Sequence, residues 1–437
     1  MFYSPLLGEH YVYLEKFMKR ILLILGLFCS TALAESLDLQ TAVSRVVSNH
    51  PSLSVAEAEV LAAQAEGLQA GLWQNPVLGV EAENVFGSGG FSGGSSAEYT
   101  FSLSQTFELG GKRAKRKEAA LLRGEVAKWN LDGRRRALEQ ITIRAFYATL
   151  AAETRLTLAG KQVEMAQAVV EKAEQRVAAG RAHRLEISRA KLELADAELD
   201  AENMKLAVNA AKTMLATLWG GTFSEVDTLK NDLKEITAPT PASELMRQLS
   251  QHPAMLQAEA QIRQQQAESV AADAERIPDV EIGAGFRLIQ ESDDQALVFG
   301  LSIPLAFGNR NQGGREAARI RTLQAEDERM AIQLGLQQEL LDKSREVQAA
   351  YAQVMSLKKK QLPTAQKAYE EATDGYEKGL FSSLDLLDAL RSLFGQELRY
   401  VNAVLAYHQA QAELDNLVGE RIIKNEEVGI KNLGEGQ

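Results

Sequence analysis

Two acidic residues, Asp385 and Asp388, lie three positions apart in the stretch GYEKGLFSSLDLLDA at 375–389. Residues at this spacing share one face of a helix, so two like charges would be neighbours among leucines. One explanation is local: Asp385 could cap a helix that follows the glycine, and Asp388 could lie in its first turn. The other is functional: the charges serve something outside the helix. The two residues alone leave both explanations open.

Histidines are the other residues whose chemistry needs an explanation. His50 and His252 each precede a proline, which favours a structural position beside a helix start, and neither has a second ligand at metal spacing. His183 is interpreted as a solvated loop residue. The sequence contains no HxxxH or CxxC pattern, no Ser-His-Asp grouping and no phosphate-binding loop. We therefore predict no enzyme activity, no cofactor and no metal site.

The charge balance argues against a nucleic-acid partner. The 437 residues carry a net charge of −11, which repels a phosphate backbone. Basic residues do cluster at 112–117 and at 134–136, and the first cluster has no interleaved aromatic residues. Near a strand–helix junction, such a cluster is better interpreted as a basic collar that meets lipid phosphates.

The N-terminal segment has the pattern of a secretory signal. MKRILLILGLFCSTALA, starting at Met18, has a basic start, a short apolar run and small residues before a cleavage site after Ala34. The apolar run is too short to span a bilayer as a helix. The sole cysteine, Cys29, could carry a lipid anchor, but bulky Phe28 precedes it and disfavours lipidation. Either Met1 or Met18 could be the true start.

The rest of the chain contains an internal repeat. SNHPSLSVAEAEV at 48–60 resembles SQHPAMLQAEAQI at 250–262, and Gly180 has its counterpart in Gly379. A unit of about 200 residues is therefore present twice, joined by the proline-containing link at 238–243. The predicted division is an extension and signal peptide at 1–34, a first repeat at 35–237, a second repeat at 238–424 and a polar tail at 425–437.

Each repeat contains two segments that alternate with period two, which predicts a pair of strands. One face of each strand is apolar and the other is polar or glycine, as in strands that cross an outer membrane with lipid on one side. Backbone groups in lipid must be paired, and four strands cannot close around a water-filled space, so the strands must be shared between chains. The residues predicted to face lipid are Val80, Phe101, Leu103, Ile282, Phe286, Phe299 and Leu301.

Long helices follow each strand pair. Residues 112–179 contain no proline, and a helix of that length would span roughly 100 Å, so it needs a partner along its length. The returning segment supplies one, and each helical hairpin is predicted to turn at a glycine, Gly180 or Gly379. Pro363 is expected to bend the second long helix. Leucines that recur every seven residues predict a coiled-coil seam on the first returning helix: Leu185, Leu192, Leu199 and Leu206.

With these features the chain resembles the TolC family of outer-membrane efflux proteins over nearly all of the exported part. The resemblance rests on the duplicated plan, the tip pattern at 375–389 and QTFELGGKRAKR at 105–116. That run, together with QNP at 74–76, is most similar to the CzcC-like subgroup, which serves heavy-metal exporters of the resistance–nodulation–division (RND) type.

The resemblance implies a fold that is mainly α with a small β part. Long antiparallel helical hairpins would form a periplasmic α-barrel, and four strands per chain would contribute to a twelve-stranded β-barrel of a homotrimer in the outer membrane. The implied partners are outer-membrane lipid, a periplasmic adaptor and an inner-membrane RND pump. The implied function is the exit channel of a tripartite efflux system for divalent heavy-metal cations such as cobalt, zinc, cadmium and nickel, or for copper and silver.

The resemblance also assigns roles at the hairpin tips. Asp385, Asp388 and Glu186 match acidic residues that ring the periplasmic entrance, where a ring of carboxylates attracts cations. Tyr376 matches a tyrosine that latches the tip, and Glu186 matches its acidic partner. Phe381 stands where some members carry a latch arginine, so the resemblance leaves the strength of the closed state open.

Two alternative functions stay open. An exit channel of the same kind could carry drugs, other organic compounds or a secreted polypeptide, because a passive tunnel need not bind its cargo specifically. A periplasmic coiled-coil adaptor would also have long helical hairpins. It would lack the two amphipathic strand pairs, so we consider it the weaker alternative.

Overall fold

The computed structural model describes residues 37–226, 228–230 and 232–419. The predicted signal peptide at 1–34, with its cleavage site and Cys29, lies outside the described residues, as does the predicted tail at 425–437. Within the described ranges, no helix combines the length and the apolar character that crossing a membrane requires.

The predicted order of a short helix, a strand pair and a long helical hairpin is observed twice. Short 3₁₀ turns and a brief helix, α5, connect the two rounds. The elements in chain order are α1 (Leu39–Asn49), α2 (Pro51–Ala70), β1 (Val77–Glu83), β2 (Glu98–Phe107), α3 (Lys112–Ala178), α4 (Leu185–Thr217), α5 (Ala242–Leu245), α6 (Pro253–Ala274), β3 (Val280–Ile289), β4 (Asp294–Ser302), α7 (Gln312–Ser356), α8 (Leu362–Glu377) and α9 (Ser383–Val418).

Helices α2 and α6 start in the same way in both repeats. The Nδ1 atom of His50 accepts a hydrogen bond from the Ser52 N–H at 3.2 Å, and His252 does the same for Ala254 at 3.2 Å. A proline follows each histidine at the start of the helix, where its missing N–H leaves no bond unmade. The structural role predicted for the two histidines is confirmed.

The four strands form one antiparallel sheet in the order β1-β2-β3-β4. Phe101 lies opposite Val80 on one side and Phe286 on the other, and Phe286 lies opposite Leu297. The rings of Phe101 and Phe286 stack with centroids 5.2 Å apart. The predicted alternation is therefore confirmed, since the apolar residues of all four strands share one face. Contact of this face with lipid stays a prediction.

The opposite face of the sheet is polar. Arg287, close to the end of β3, forms ion pairs with Glu98 at 2.7 Å and Glu83 at 2.8 Å, and it donates a hydrogen bond to the Thr100 hydroxyl at 2.9 Å. The sheet is open, because β1 and β4 each pair with only one neighbour among the described strands. Two rows of backbone donors and acceptors thus remain at its edges.

Helix α3 is a single helix of 67 residues, about 100 Å long, and α4 returns along it. The predicted leucine seam between them is wrong. A heptad period marks a stripe on a helix but does not say which neighbour covers it. In the structure, a different face of α4 is buried within the chain. That face is built largely of small side chains, and its buried residues are Ala190, Glu193, Ala197, Val208, Leu215 and Ala216. The seam leucines are between half and two-thirds exposed: Leu185, Leu192, Leu199 and Leu206.

The second long helix is interrupted close to the predicted position. A π-helical turn at Leu357–Gln361 separates α7 from α8, and Pro363 lies in the first turn of α8. A proline cannot donate the usual backbone bond, and its ring crowds the carbonyl one turn earlier, so the turn before it widens.

Two hydrophobic cores hold the helices together. The larger one joins α1, α3, α7, α9 and the link between the repeats. A separate cluster near the hairpin tips, here called the tip core, draws residues from both repeats. Its members are Val169, Val170, Ala173, Ala190, Ala372, Tyr376, Leu386, Leu387, Leu390 and Phe394.

Candidate functional site

Both hairpins turn at a glycine, as expected. Gly180 and Gly379 have φ values of +69° and +77°, in the left-handed region that residues with a Cβ seldom adopt. In each tip the residue after the glycine donates its N–H back across the turn. Arg181 bonds to the Arg176 carbonyl at 2.8 Å, and Leu380 bonds to the Gly375 carbonyl at 2.8 Å. The two helix ends therefore share one motif.

The structure brings together the tyrosine and the acid of the expected tip contact. Tyr376, in the last turns of α8, is fully buried in the tip core. Its hydroxyl donates a hydrogen bond to Glu186 Oε2 at 2.9 Å, and Glu186 lies in the first turn of α4. Burial, and then the bond to Glu186, raise the pKa of Tyr376 to about 12. The hydroxyl is thus a stable donor at neutral pH and joins the two repeats.

A third residue, Arg176, also contacts this tyrosine. Its guanidinium carbon lies 4.2 Å from the centre of the Tyr376 ring, and its Nη1 donates to the Tyr376 carbonyl. Beside it, Lys172 pairs with Glu377 at 2.5 Å. Sequence reasoning missed Arg176, and the available signal was a basic residue in the last turn of a helix, close to the free carbonyls.

Phe381 occupies the position at which the resemblance implies a latch arginine in some family members. Its ring lies against Gly375, where an added Cβ would come within 2.1 Å of Phe381 Cδ2. The absence of a side chain at Gly375 thus makes room for the ring. The positive charge at the tyrosine comes from Arg176 of the first repeat.

Asp385 takes part in the start of α9, though not as its capping residue. Ser382 is the N-cap, and Asp385 is the third helical residue of a capping box. The Asp385 carboxylate accepts from the Ser382 N–H at 2.8 Å and from the Ser382 hydroxyl at 2.7 Å. These bonds lower the pKa of Asp385, so it stays charged. The local explanation therefore accounts for this residue, with Ser382 as the cap.

Asp388 lies in the second turn of α9 rather than the first, and it is exposed. Arg391, one turn further along, bonds through Nε to the almost fully buried Glu193 of α4 at 2.7 Å. That bond, with weaker attraction from Asp196 and Asp388, raises the pKa of Arg391. The charge of Asp388 is thus partly balanced, while its carboxylate stays accessible to solution.

Two members of the predicted basic collar at 112–117 form ion pairs within the chain. Lys112 is buried and lies 2.9 Å from Asp279 and 3.5 Å from Glu275, while Arg116 pairs with Glu108 at 2.8 Å. These two residues thus help to hold the strand–helix junction together. For the described part of the chain, no group of three or more histidine, cysteine, aspartate or glutamate residues is disposed to hold a metal ion.

Comparison with known proteins places these features in a family context. The family model described as "Outer membrane efflux protein" matches residues 42–221 and 245–420. The cobalt-zinc-cadmium resistance protein CzcC of Cupriavidus metallidurans is 30% identical over 387 residues, which cover 88% of this chain and 91% of that protein. The nickel-cobalt-cadmium resistance protein NccC of Alcaligenes xylosoxydans xylosoxydans is 28% identical over 275 residues, covering 61% and 60% of the two chains.

Solved structures share the architecture. The outer-membrane channel OprN superimposes with a TM-score of 0.72 at 22% identity, covering 87% of this chain and 89% of its own. The transmembrane channel CusC gives a TM-score of 0.70 at 19% identity, covering 87% and 91%. At these identities the likeness concerns the fold alone.

Proposed function

Because the chain belongs to the outer membrane efflux protein family, we propose that it is the exit channel of a tripartite efflux system and carries divalent heavy-metal cations. It is an outer-membrane protein with a periplasmic helical part, and its relatives are channels rather than enzymes. The observation that carries the channel function is the open sheet with one apolar and one polar face. The metal cargo is supported by the resistance proteins that cover most of the chain.

The assembly that makes this sheet useful is a homotrimer. Strands β1 and β4 would pair between neighbouring copies, so that three chains give twelve strands around a space wide enough for water. The apolar face would meet lipid, and the polar face around Arg287 would line the passage.

The helical part offers matching surfaces for the same assembly. The exposed leucines of α4 lack a cover in the single chain, and α7 exposes a second apolar stripe with steps of three, four or seven residues. Adjacent copies would cover both stripes. The residues of the α7 stripe are Ile320, Leu323, Met330, Leu334 and Leu341.

The hairpin tips would form the periplasmic entrance, where a periplasmic adaptor and an inner-membrane RND pump dock. Asp388 and Asp385 would surround the entrance in three copies, with Glu186 beside them at the tip contact. Such a concentration of carboxylates raises the local concentration of cations in a narrow mouth.

The experiment that tests this function is a deletion of the gene followed by growth on cobalt, zinc, cadmium, nickel and copper salts. We expect tolerance to at least one metal to fall and to return with the wild-type gene. Growth of the same strains on organic antimicrobials is measured in parallel. Unchanged metal tolerance together with new sensitivity to organic compounds would replace the metal cargo with an organic one. Failure to recover a detergent-stable trimer from the outer membrane would contradict the channel itself.

A further inference from the structure

We propose that Arg176 is the positioning residue of the tip contact: its guanidinium fixes the Tyr376 ring so that the hydroxyl meets Glu186, and the tip opens only when Arg176 releases the ring. This inference rests on the proposed channel function, because it concerns how the entrance is held closed. It adds a residue from the first long helix to a contact otherwise made by α8 and α4.

Tyr376 is held at three separate points. Glu186 accepts from its hydroxyl at 2.9 Å, the Arg176 guanidinium lies 4.2 Å from its ring centre, and Arg176 Nη1 donates to its carbonyl. The three residues belong to three elements, α8, α4 and α3. A movement of α8 relative to the first repeat must therefore break the contacts with Arg176 and the bond to Glu186 together.

The contact at the carbonyl explains why a cation is suited to this position. Tyr376 lies at the end of α8, where carbonyls lack partners within the helix. The Tyr376 carbonyl oxygen also accepts a hydrogen bond from the Gly379 N–H at 3.1 Å. A positive charge at this end of a helix is favourable. The planar guanidinium can also lie over an aromatic face while it donates a hydrogen bond, which a lysine ammonium does less well.

The second repeat has no counterpart of this arginine. Arg176 and Gly375 each stand four residues before their tip glycines, Gly180 and Gly379. At Gly375 the Phe381 ring fills the space that a side chain would need. This arginine position is therefore filled in the first repeat only, and Arg176 acts on the tyrosine of the second repeat.

Single-channel recording of the purified full-length protein in planar bilayers tests the proposal. Arg176→Gln should raise the open probability about tenfold, and Arg176→Lys should give a smaller rise, because lysine keeps the charge but loses the planar contact. Arg181→Gln is the matched control, since Arg181 is an exposed arginine of the same tip, and it should match the wild type.

A double-mutant comparison separates positioning from general support of the tip. If Arg176 acts through Tyr376, Arg176→Gln combined with Tyr376→Phe should open the channel no more than the stronger single substitution. Additive effects, or a wild-type open probability in Arg176→Gln while Tyr376→Phe opens the channel, would overturn the proposal and leave the channel function intact. If Arg176→Gln does not assemble, Arg176→Lys decides, and an unchanged open probability in that variant overturns the proposal. Absence of any current from wild-type trimers would instead refute the channel function.

Discussion

The sheet end and the tip end of the molecule use the duplication in opposite ways. In the sheet both repeats contribute strands to the same apolar face, and Phe101 of the first repeat stacks on Phe286 of the second. At the tips, equivalent positions have different hydrogen-bond partners. Glu186 and Asp385 each come six residues after a tip glycine, yet Glu186 binds Tyr376 of the other repeat while Asp385 bonds to Ser382 of its own helix start.

The difference follows from how each region is stabilised. An apolar sheet face depends on the sum over many residues, so both repeats must keep the same alternation. A tip contact depends on single hydrogen bonds, so one position can change its partner without disturbing the rest. Duplicated chains can therefore keep their architecture symmetric while their functional contacts become asymmetric.

The largest expected effect concerns the symmetric region. Phe101→Arg and Phe299→Arg place a charge on the apolar face from either repeat, and each should cost about 2–4 kcal/mol near the bilayer midplane. Ser102→Arg, on the polar face, is the matched control and should be tolerated better. Heat-induced dissociation of the trimer provides the measurement. Equal damage from Ser102→Arg would mean that the polar face does not line the passage.

The next effect is the asymmetry at the tips. Tyr376→Phe removes, and Glu186→Gln weakens, the same hydrogen bond to a carboxylate, worth about 1–3 kcal/mol. Both variants should increase the conductance of the purified channel, whereas Asp385→Asn, at the equivalent position, should not increase it. An equal increase in conductance in all three variants would show that Glu186 and Asp385 have the same role.

The raised pKa of Tyr376 adds a pH dependence to that asymmetry. Because its folded pKa, about 12, lies above the ordinary value of 10.0, the tip contact contributes fully below pH 10 and is lost as the pH rises through 12. Ultraviolet titration of tyrosinate should show a component that titrates near pH 12 in the wild type and is missing from Tyr376→Phe. If Tyr376→Phe instead loses a component that titrates near pH 10, Tyr376 has an ordinary pKa and the buried contact is contradicted.

The smallest effect is expected at the helix start. Ser382→Ala removes the N-cap of α9 and should lower the free energy of unfolding by about 1 kcal/mol, without a change in ion selectivity. Ser383→Ala, one residue later, removes a hydroxyl outside the capping box and is the matched control. Thermal unfolding measures both. A selectivity change in Ser382→Ala would mean that the capping box and the entrance are coupled.

The sequence predicted most of the architecture because long periodic patterns report it directly. The absence of proline at 112–179 predicted a helix now observed at Lys112–Ala178, and the two tip glycines predicted the turns. The leucine seam failed because periodicity marks a stripe but not its neighbour. Arg176 was missed because its contact depends on how two distant segments meet. Ser382 was missed because the choice of the hydroxyl that caps a helix leaves no repeating pattern in the sequence.

The reversal potential of purified wild-type trimers in a planar bilayer with a salt gradient tests the acidic entrance most directly. We expect a cation-selective current that zinc or cobalt ions block from the periplasmic side. Asp388→Asn should weaken both effects more than Asp385→Asn, because the Asp385 carboxylate is engaged at the helix start. A current without cation preference, or one whose selectivity and metal block survive both substitutions in intact trimers, would contradict the acidic entrance.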